Sequence, residues 1–185
     1  GIDMHWLPHC QGSNEVAKII KQYHPDTPVI FGGFSSSYFY KELISFPHVD
    51  FILRGDSAEE PLYQLMSVIK NNKGDLSLLK QIPNLVWKEK NEIHENPISC
   101  ISEDLDEVDF DYRIMFKQVL RYKSLKSVIP FNGWINYPVT TIPIIRGCNK
   151  NCSGCGGSKN AFEIFGKRTR PAFRQPEKLV DEILM

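Results

Sequence analysis

Cys148, Cys152 and Cys155 stand within eight residues of one another in the stretch Cys148-Asn-Lys-Asn-Cys152-Ser-Gly-Cys155. Thiolates are the natural ligands of iron–sulfur clusters and of zinc, and three on one short loop reach three corners of a compact cluster without help from distant sequence. Gly147, Gly154, Gly156 and Gly157 surround the thiols, and backbone without side chains bends tightly and comes close to a ligand. A structural zinc site takes four ligands as a rule. Cys10 and Cys100 are remote, and no histidine lies within thirty residues of the loop, so the donor set favours a cluster over zinc. A zinc-binding interaction module is the alternative from another class.

The elements that must position this loop follow from periodicity. Ile2–Trp6 reads as a short strand, and Ser13 as the cap of a helix whose Val16, Ile19, Ile20 and Tyr23 recur at helical spacing. Pro28–Phe31 is a strand apolar enough to be buried on both faces; it ends in Gly32-Gly33 and Phe34-Ser35-Ser36-Ser37, with a helix from about Tyr38 to Phe46. Phe51–Leu53 is a third strand running into Arg54-Gly55-Asp56, and Ser57-Ala-Glu-Glu60 reads as a capping box for the next helix, which carries Leu62, Leu65, Met66 and Ile69 on one face. Alternating strands and helices joined by short loops predict a parallel sheet, whose ligands sit at the carboxyl ends of its strands. Asn84–Lys88 and Glu92–Glu95 read as a hairpin around Glu89-Lys-Asn91.

An acidic stretch with Glu103, Asp104, Asp106, Glu107, Asp109 and Asp111 reads as a solvated connection, and Met115, Val119 and Tyr122 as one side of a short helix. Trp134–Pro138 reads as a packed loop. Val139–Ile145 has a strand pattern that delivers Arg146-Gly147-Cys148. Lys167, Arg168, Arg170 and Arg174 read as solvated cations. Pro176 opens a last helix with Leu179, Val180, Ile183 and Leu184 on one side.

The spacing C-x3-C-x2-C resembles the cluster loop of the radical S-adenosylmethionine (radical SAM) enzymes. In that family three cysteines hold three irons of a [4Fe-4S] cluster, S-adenosylmethionine occupies the fourth, and its cleavage gives a 5′-deoxyadenosyl radical. The resemblance implies Cys148, Cys152 and Cys155 as cluster ligands and Gly156 and Gly157 as neighbours of S-adenosylmethionine. The position before the third cysteine, usually aromatic in the family, is Gly154 here.

The double glycine and the Arg54–Glu60 stretch are similar to the later half of the cobalamin-binding domain found upstream of the barrel in B12-dependent radical SAM enzymes. That resemblance implies contacts to cobalamin from Gly32, Gly33, Ser35, Ser36, Gly55 and Asp56, with His5 as a cofactor neighbour. Asp3-Met-His5 is not the cobalt-ligand motif of other B12 proteins, because Pro8 stands where its glycine belongs.

The expected fold class is therefore α/β: a partial Rossmann-like, doubly wound domain at 1–80, a hairpin and acidic linker at 81–136, and at 137–185 the first strand, cluster loop and helix of a TIM-type barrel. The run Arg174–Ile183 resembles the family's first barrel helix. The chain reads as a fragment that is inactive alone. The parent chemistry is a radical transformation, with methyl transfer on an undetermined substrate as the example, and an electron donor such as flavodoxin or ferredoxin. A radical SAM protein without cobalamin is the second enzyme reading.

Composition bounds the rest. Of 185 residues 42% are hydrophobic, enough for a packed core, and 22 basic against 22 acidic residues leave no global field for nucleic acid. No apolar run approaches the roughly 20 residues that span a bilayer, and a crowded thiol loop suits a reducing, cytoplasmic compartment. Cys10 and Cys100 read as ordinary buried thiols, and His9, His24, His48 and His94 as surface or turn residues.

Overall fold

A computed structural model describes residues 1–71, 76–90, 92–106, 112–124, 129, 132–139 and 141–184. Its elements in chain order are β1 (Ile2–Asp3), α1 (Cys10–Tyr23), β2 (Ile30–Gly32), α2 (Phe34–Tyr38), α3 (Tyr40–Ser45), β3 (Phe51–Leu53) and α4 (Glu59–Asn71), followed by β4 (Leu85–Glu89), β5 (Glu92–Glu95), α5 (Tyr112–Tyr122), β6 (Ile145–Arg146), α6 (Lys159–Gly166), β7 (Ala172–Phe173) and α7 (Pro176–Leu184). They form two compact units: Gly1–Ser102 with Gly147–Pro171, and Glu103–Arg146 with Ala172–Met185.

The first unit is built on a sheet of order β1-β2-β3-β4-β5. The pairs β1/β2 and β2/β3 are parallel, as the alternation of strands and helices predicts, with Ile2 opposite Phe31 and Ile30 opposite Phe51. The expected hairpin forms, and β4 pairs antiparallel with β3, so the sheet runs on across it. Successive side chains of a strand point to opposite faces. Phe31, Ile52 and Val86 accordingly pack with Ala17 of α1 and Leu43 and Ile44 of α3. Ile30, Leu53, Leu85 and Trp87 pack with Leu65 of α4 and with Leu79. Two helical layers thus cover the sheet, burying β2, β3 and most of β4 on both sides while β1 and β5 at the edges stay more exposed.

Several local expectations are corrected. α1 starts at Cys10, not after Ser13, whose hydroxyl donates to the Asp3 carbonyl at 3.0 Å. Val16, Ile19 and Tyr23 of that helix are 48%, 53% and 70% exposed, while Ala17 faces the core. The helix expected over 38–46 is broken at Phe39 into α2 and α3, and α2 takes in Ser35, Ser36 and Ser37. The Ser57 hydroxyl accepts from Ser102 N–H at 2.9 Å, a tertiary bond in place of the role expected in a capping box. His48 is buried and shares a 2.6 Å hydrogen bond with Asn14; it is not a surface histidine.

In the second unit the strand expected over Val139–Ile145 is reduced to β6, antiparallel to β7 with Ile145 opposite Phe173. Pro143 has no N–H to give a ladder, and Val139 and Ile144 are exposed. α5 and α7 lie where periodicity placed them, α7 with Pro176 at its start. Gln175 N–H is bonded to Asp106 at 2.7 Å. Trp134 donates to the Val139 carbonyl at 2.7 Å, but the loop expected to be packed is largely exposed, with Ile135 and Tyr137 at 73% and 77%. Asn91, Glu107, Asp109, Asp111 and Thr140, and the side chain of Met115, lie outside the described residues.

Candidate functional site

The cysteine loop belongs to the unit that carries the five-stranded sheet. Cys148 is half-buried, Cys152 and Cys155 are exposed, and all five thiols are free. Two contacts close the loop at its base: Lys159 N–H donates to the Lys150 carbonyl at 2.8 Å, and Asn151 and Asn160 exchange bonds of 3.0 and 2.9 Å. Inside that clasp, Cys155 N–H donates to the Cys152 carbonyl at 3.1 Å, and Lys150 N–H lies 3.3 Å from the Cys148 sulfur. Gly154 and Gly156 sit on exposed turn, and a side-chain carbon at Gly156 would lie 3.7 Å from the Trp6 ring. Among the described residues no group of three or more His, Cys, Asp or Glu side chains converges on one metal position. The donor set nevertheless fits a cluster in kind, with three reduced thiols on one clasped loop and no disulfide.

Ser158 caps α6, its oxygen accepting from Ala161 N–H. This helix was not expected, and its sequence signal is that serine followed by Ala161, Phe162 and Phe165. Its aromatic face lies over the carboxyl ends of β1 and β2. Phe34 meets the Phe162 ring edge-on at 4.8 Å and the Phe165 ring at 5.7 Å, and His5 stacks on Phe34 at 4.9 Å.

The residues expected to meet cobalamin are gathered at this sheet edge, and the fold already uses them. Gly33, at φ +104°, leaves no room for a side chain: a Cβ would stand 2.9 Å from Asp3 Oδ1, His5 N and Met4 C. Ser35 donates to the His5 carbonyl at 3.0 Å, while Ser36 and Ser37 donate to the Gly33 carbonyl at 3.0 and 2.8 Å. Gly55 N–H donates to Ser37 Oγ at 2.8 Å. Asp56 is taken by Arg168. Gly32 alone of the set has open space where a side chain would be.

Arg168 and Arg174 are not solvated cations: they are only 3% and 5% exposed. Each is buried in an ion pair, Arg168 with Asp56 and Arg174 with Glu182. Lys167 and Arg170 are exposed. Burial pushes the thiols of Cys10 and Cys100 up from their ordinary values, helped at Cys100 by the carboxylates of Glu59, Glu60 and Asp56. Both are half-buried.

A mixed α/β sheet with a parallel core and a clasped three-cysteine loop thus lie on the same unit. No family model matches the chain. The anaerobic magnesium-protoporphyrin IX monomethyl ester cyclase of Synechocystis sp. is 25% identical over 166 residues, which cover 89% of this chain and 29% of the cyclase. Among solved structures, the radical S-adenosylmethionine methyltransferase TsrM of Kitasatospora setae, with tryptophan and a SAM analogue bound, superposes with a TM-score of 0.56 at 22% identity, over 93% of this chain and 30% of that one. The same enzyme with cobalamin and a [4Fe-4S] cluster bound gives 0.54 over 92% and 30%. The chain thus spans under a third of the length of the proteins it matches. The resemblance to radical SAM enzymes that carry a B12-binding domain stands. Among the described residues no helix is long and apolar enough to cross a membrane.

Proposed function

We propose that this chain supplies the cluster loop and the adjoining α/β domain of a radical SAM enzyme, with Cys148, Cys152 and Cys155 as the ligands of a [4Fe-4S] cluster and Gly156 and Gly157 beside S-adenosylmethionine. The observation that carries the reading is the free three-thiol loop on a chain whose fold matches TsrM over nearly its whole length. When bound, the cluster and S-adenosylmethionine supply the electron and the sulfonium from which a 5′-deoxyadenosyl radical is made. The chain's own part is to hold and orient. The clasp at Asn151 and Asn160 fixes the loop's base, and the exposed Cys152 and Cys155, with Cys148, would hold the cluster.

In this reading residues 137–185 begin the barrel domain and 1–80 belong to a cobalamin domain. Cobalamin, an external electron donor and methyl transfer are brought by likeness to TsrM and to the class. A radical SAM protein without cobalamin is the second reading, favoured by the internal use of Gly33, Ser35, Ser36, Ser37, Gly55 and Asp56.

Anaerobic reconstitution with iron and sulfide tests the cluster. Visible absorption and iron bound in the parent protein, both lost in Cys152→Ala, are expected. Stoichiometric zinc with no iron uptake would sink the proposal. Equilibrium dialysis of the longer parent enzyme against hydroxocobalamin separates the two enzyme readings.

A further inference from the structure

Asp56 and Arg168 lie 112 residues apart, one at the carboxyl end of β3 and the other just past α6. Both side chains are more than nine-tenths buried. The guanidinium engages both Asp56 oxygens, through Nε to Oδ2 and through Nη2 to Oδ1 at 3.3 Å. Nη2 also donates to Ser57 Oγ at 3.0 Å and to the Ser102 carbonyl at 2.7 Å, and Nη1 reaches the Arg170 carbonyl at 3.4 Å. A planar fork with this many fixed acceptors holds its own stem in one place.

That stem lies against the cysteine loop. Gly147, the residue before Cys148, has φ +102°, and a Cβ there would stand 2.8 Å from Arg168 Cδ and 3.1 Å from Pro171 Cα. From the other side, a Cβ on Gly166 would stand 3.3 Å from Asp56 Oδ1. The left-handed Lys167, whose N–H returns to the carbonyls of Glu163 and Phe162, turns the chain out of α6 and delivers Arg168. Cys148, next to this contact, is half-buried, while Cys152 and Cys155, away from it, are exposed.

We propose that Asp56 and Arg168 are positioning residues for Cys148: the ion pair fixes the Arg168 stem, the stem fixes Gly147, and Gly147 sets where the first thiol of the loop points. The functional meaning rests on Cys148 being a cluster ligand. The geometric claim does not, so the two can fail separately.

The test follows the alkylation of each of the five cysteines in the metal-free full chain by iodoacetamide and peptide mass spectrometry. Arg168→Lys keeps a charge beside Asp56 and most of the stem but loses the fork to Ser57 and Ser102. Cys148 should label about tenfold faster, the change expected when a bond or two to a charged group is lost. Cys10 and Cys100 should stay within about twofold. Gly147→Ala, which presses the stem from the loop side, should free Cys148 in the same selective way. The proposal is overturned if the Lys variant labels Cys148 at the parent rate. It is equally overturned if all five thiols speed up together, since a pair that only stabilises the fold would act on every site. Iron uptake by the parent protein is scored separately: absent uptake with selective release of Cys148 removes the cluster reading and leaves the positioning pair.

Discussion

Asn84 offers the sharpest check on how the sheet edge is held. It is fully buried at φ +64°, a left-handed conformation that Asn and Asp adopt more readily than other residues with side chains. Its carboxamide donates to the Cys100 carbonyl at 2.9 Å and the Ser57 carbonyl at 3.4 Å, and accepts from Ser99 N–H at 3.0 Å and Cys100 N–H at 3.1 Å. Its backbone carbonyl takes Arg54 N–H at 2.9 Å. Asn84→Ala removes the side-chain bonds. Ser99 is exposed and regains water, leaving two or three bonds that count, each contributing about 1 kcal/mol net. Alanine in a left-handed conformation adds roughly 1 kcal/mol more. The expected loss is therefore about 3–4 kcal/mol. Asn84→Asp retains the backbone preference and the two acceptor bonds, but sets a carboxylate against the Ser57 and Cys100 carbonyls; at neutral pH it should lose at least about half as much. Urea denaturation followed by circular dichroism, with the slope unchanged, gives both values. Two variants within about 0.5 kcal/mol of the parent, the range of ordinary surface changes, would refute the account.

Gly33→Ala should be worse than a usual Gly→Ala change, because besides the Asp3 carboxylate the new methyl meets backbone just after β1, at Met4 and His5, which cannot swing aside. A loss of roughly 2 kcal/mol or more is expected in the same assay, with Gly32→Ala, in open space, as the milder partner. His48 carries a pH dependence. Its pKa is lowered, first by burial and then by Lys18 and Lys88, so the unfolded chain binds the proton more readily than the folded one. Its contribution is present above the ordinary histidine value and is lost as pH falls through that value toward the folded one. Thermal melts at mildly acid and at neutral pH should show the loss in the parent protein and less of it in His48→Gln.

What the sequence disclosed and what it hid divide along a physical line. The buried strands declare themselves because Ile30, Phe31, Ile52 and Leu53 must be apolar on both faces, and the hairpin because its two runs flank a polar turn. The three cysteines stand out by spacing alone. The face of α1 did so only in part: Ile20 packs inward with Cys10 and Ala17, while Val16, Ile19 and Tyr23 are exposed and the inward side is completed by polar contacts from Ser13 and Asn14. Hydrophobic periodicity has no sight of a hydroxyl that bonds a strand carbonyl. Arg168 was hidden for a related reason: within its basic cluster nothing local separates it from Arg170, and only a carboxylate 112 residues earlier decides that one is buried and the other solvated. The serines after Gly33 looked free to meet a ligand because their internal acceptors, the His5 and Gly33 carbonyls, are backbone and carry no sequence signal.

The long separation between Asp56 and Arg168 also sets an order of events during synthesis. At roughly 5–20 residues per second a ribosome needs about 6 to 22 s to add the 112 residues between them. Throughout that interval the end of β3 presents a carboxylate with no guanidinium to meet it, and desolvating such a charge alone costs several kcal/mol. The nascent sheet therefore keeps that edge wet and open until α6 has emerged. Closing the edge and seating the cysteine loop thereby become the same late step.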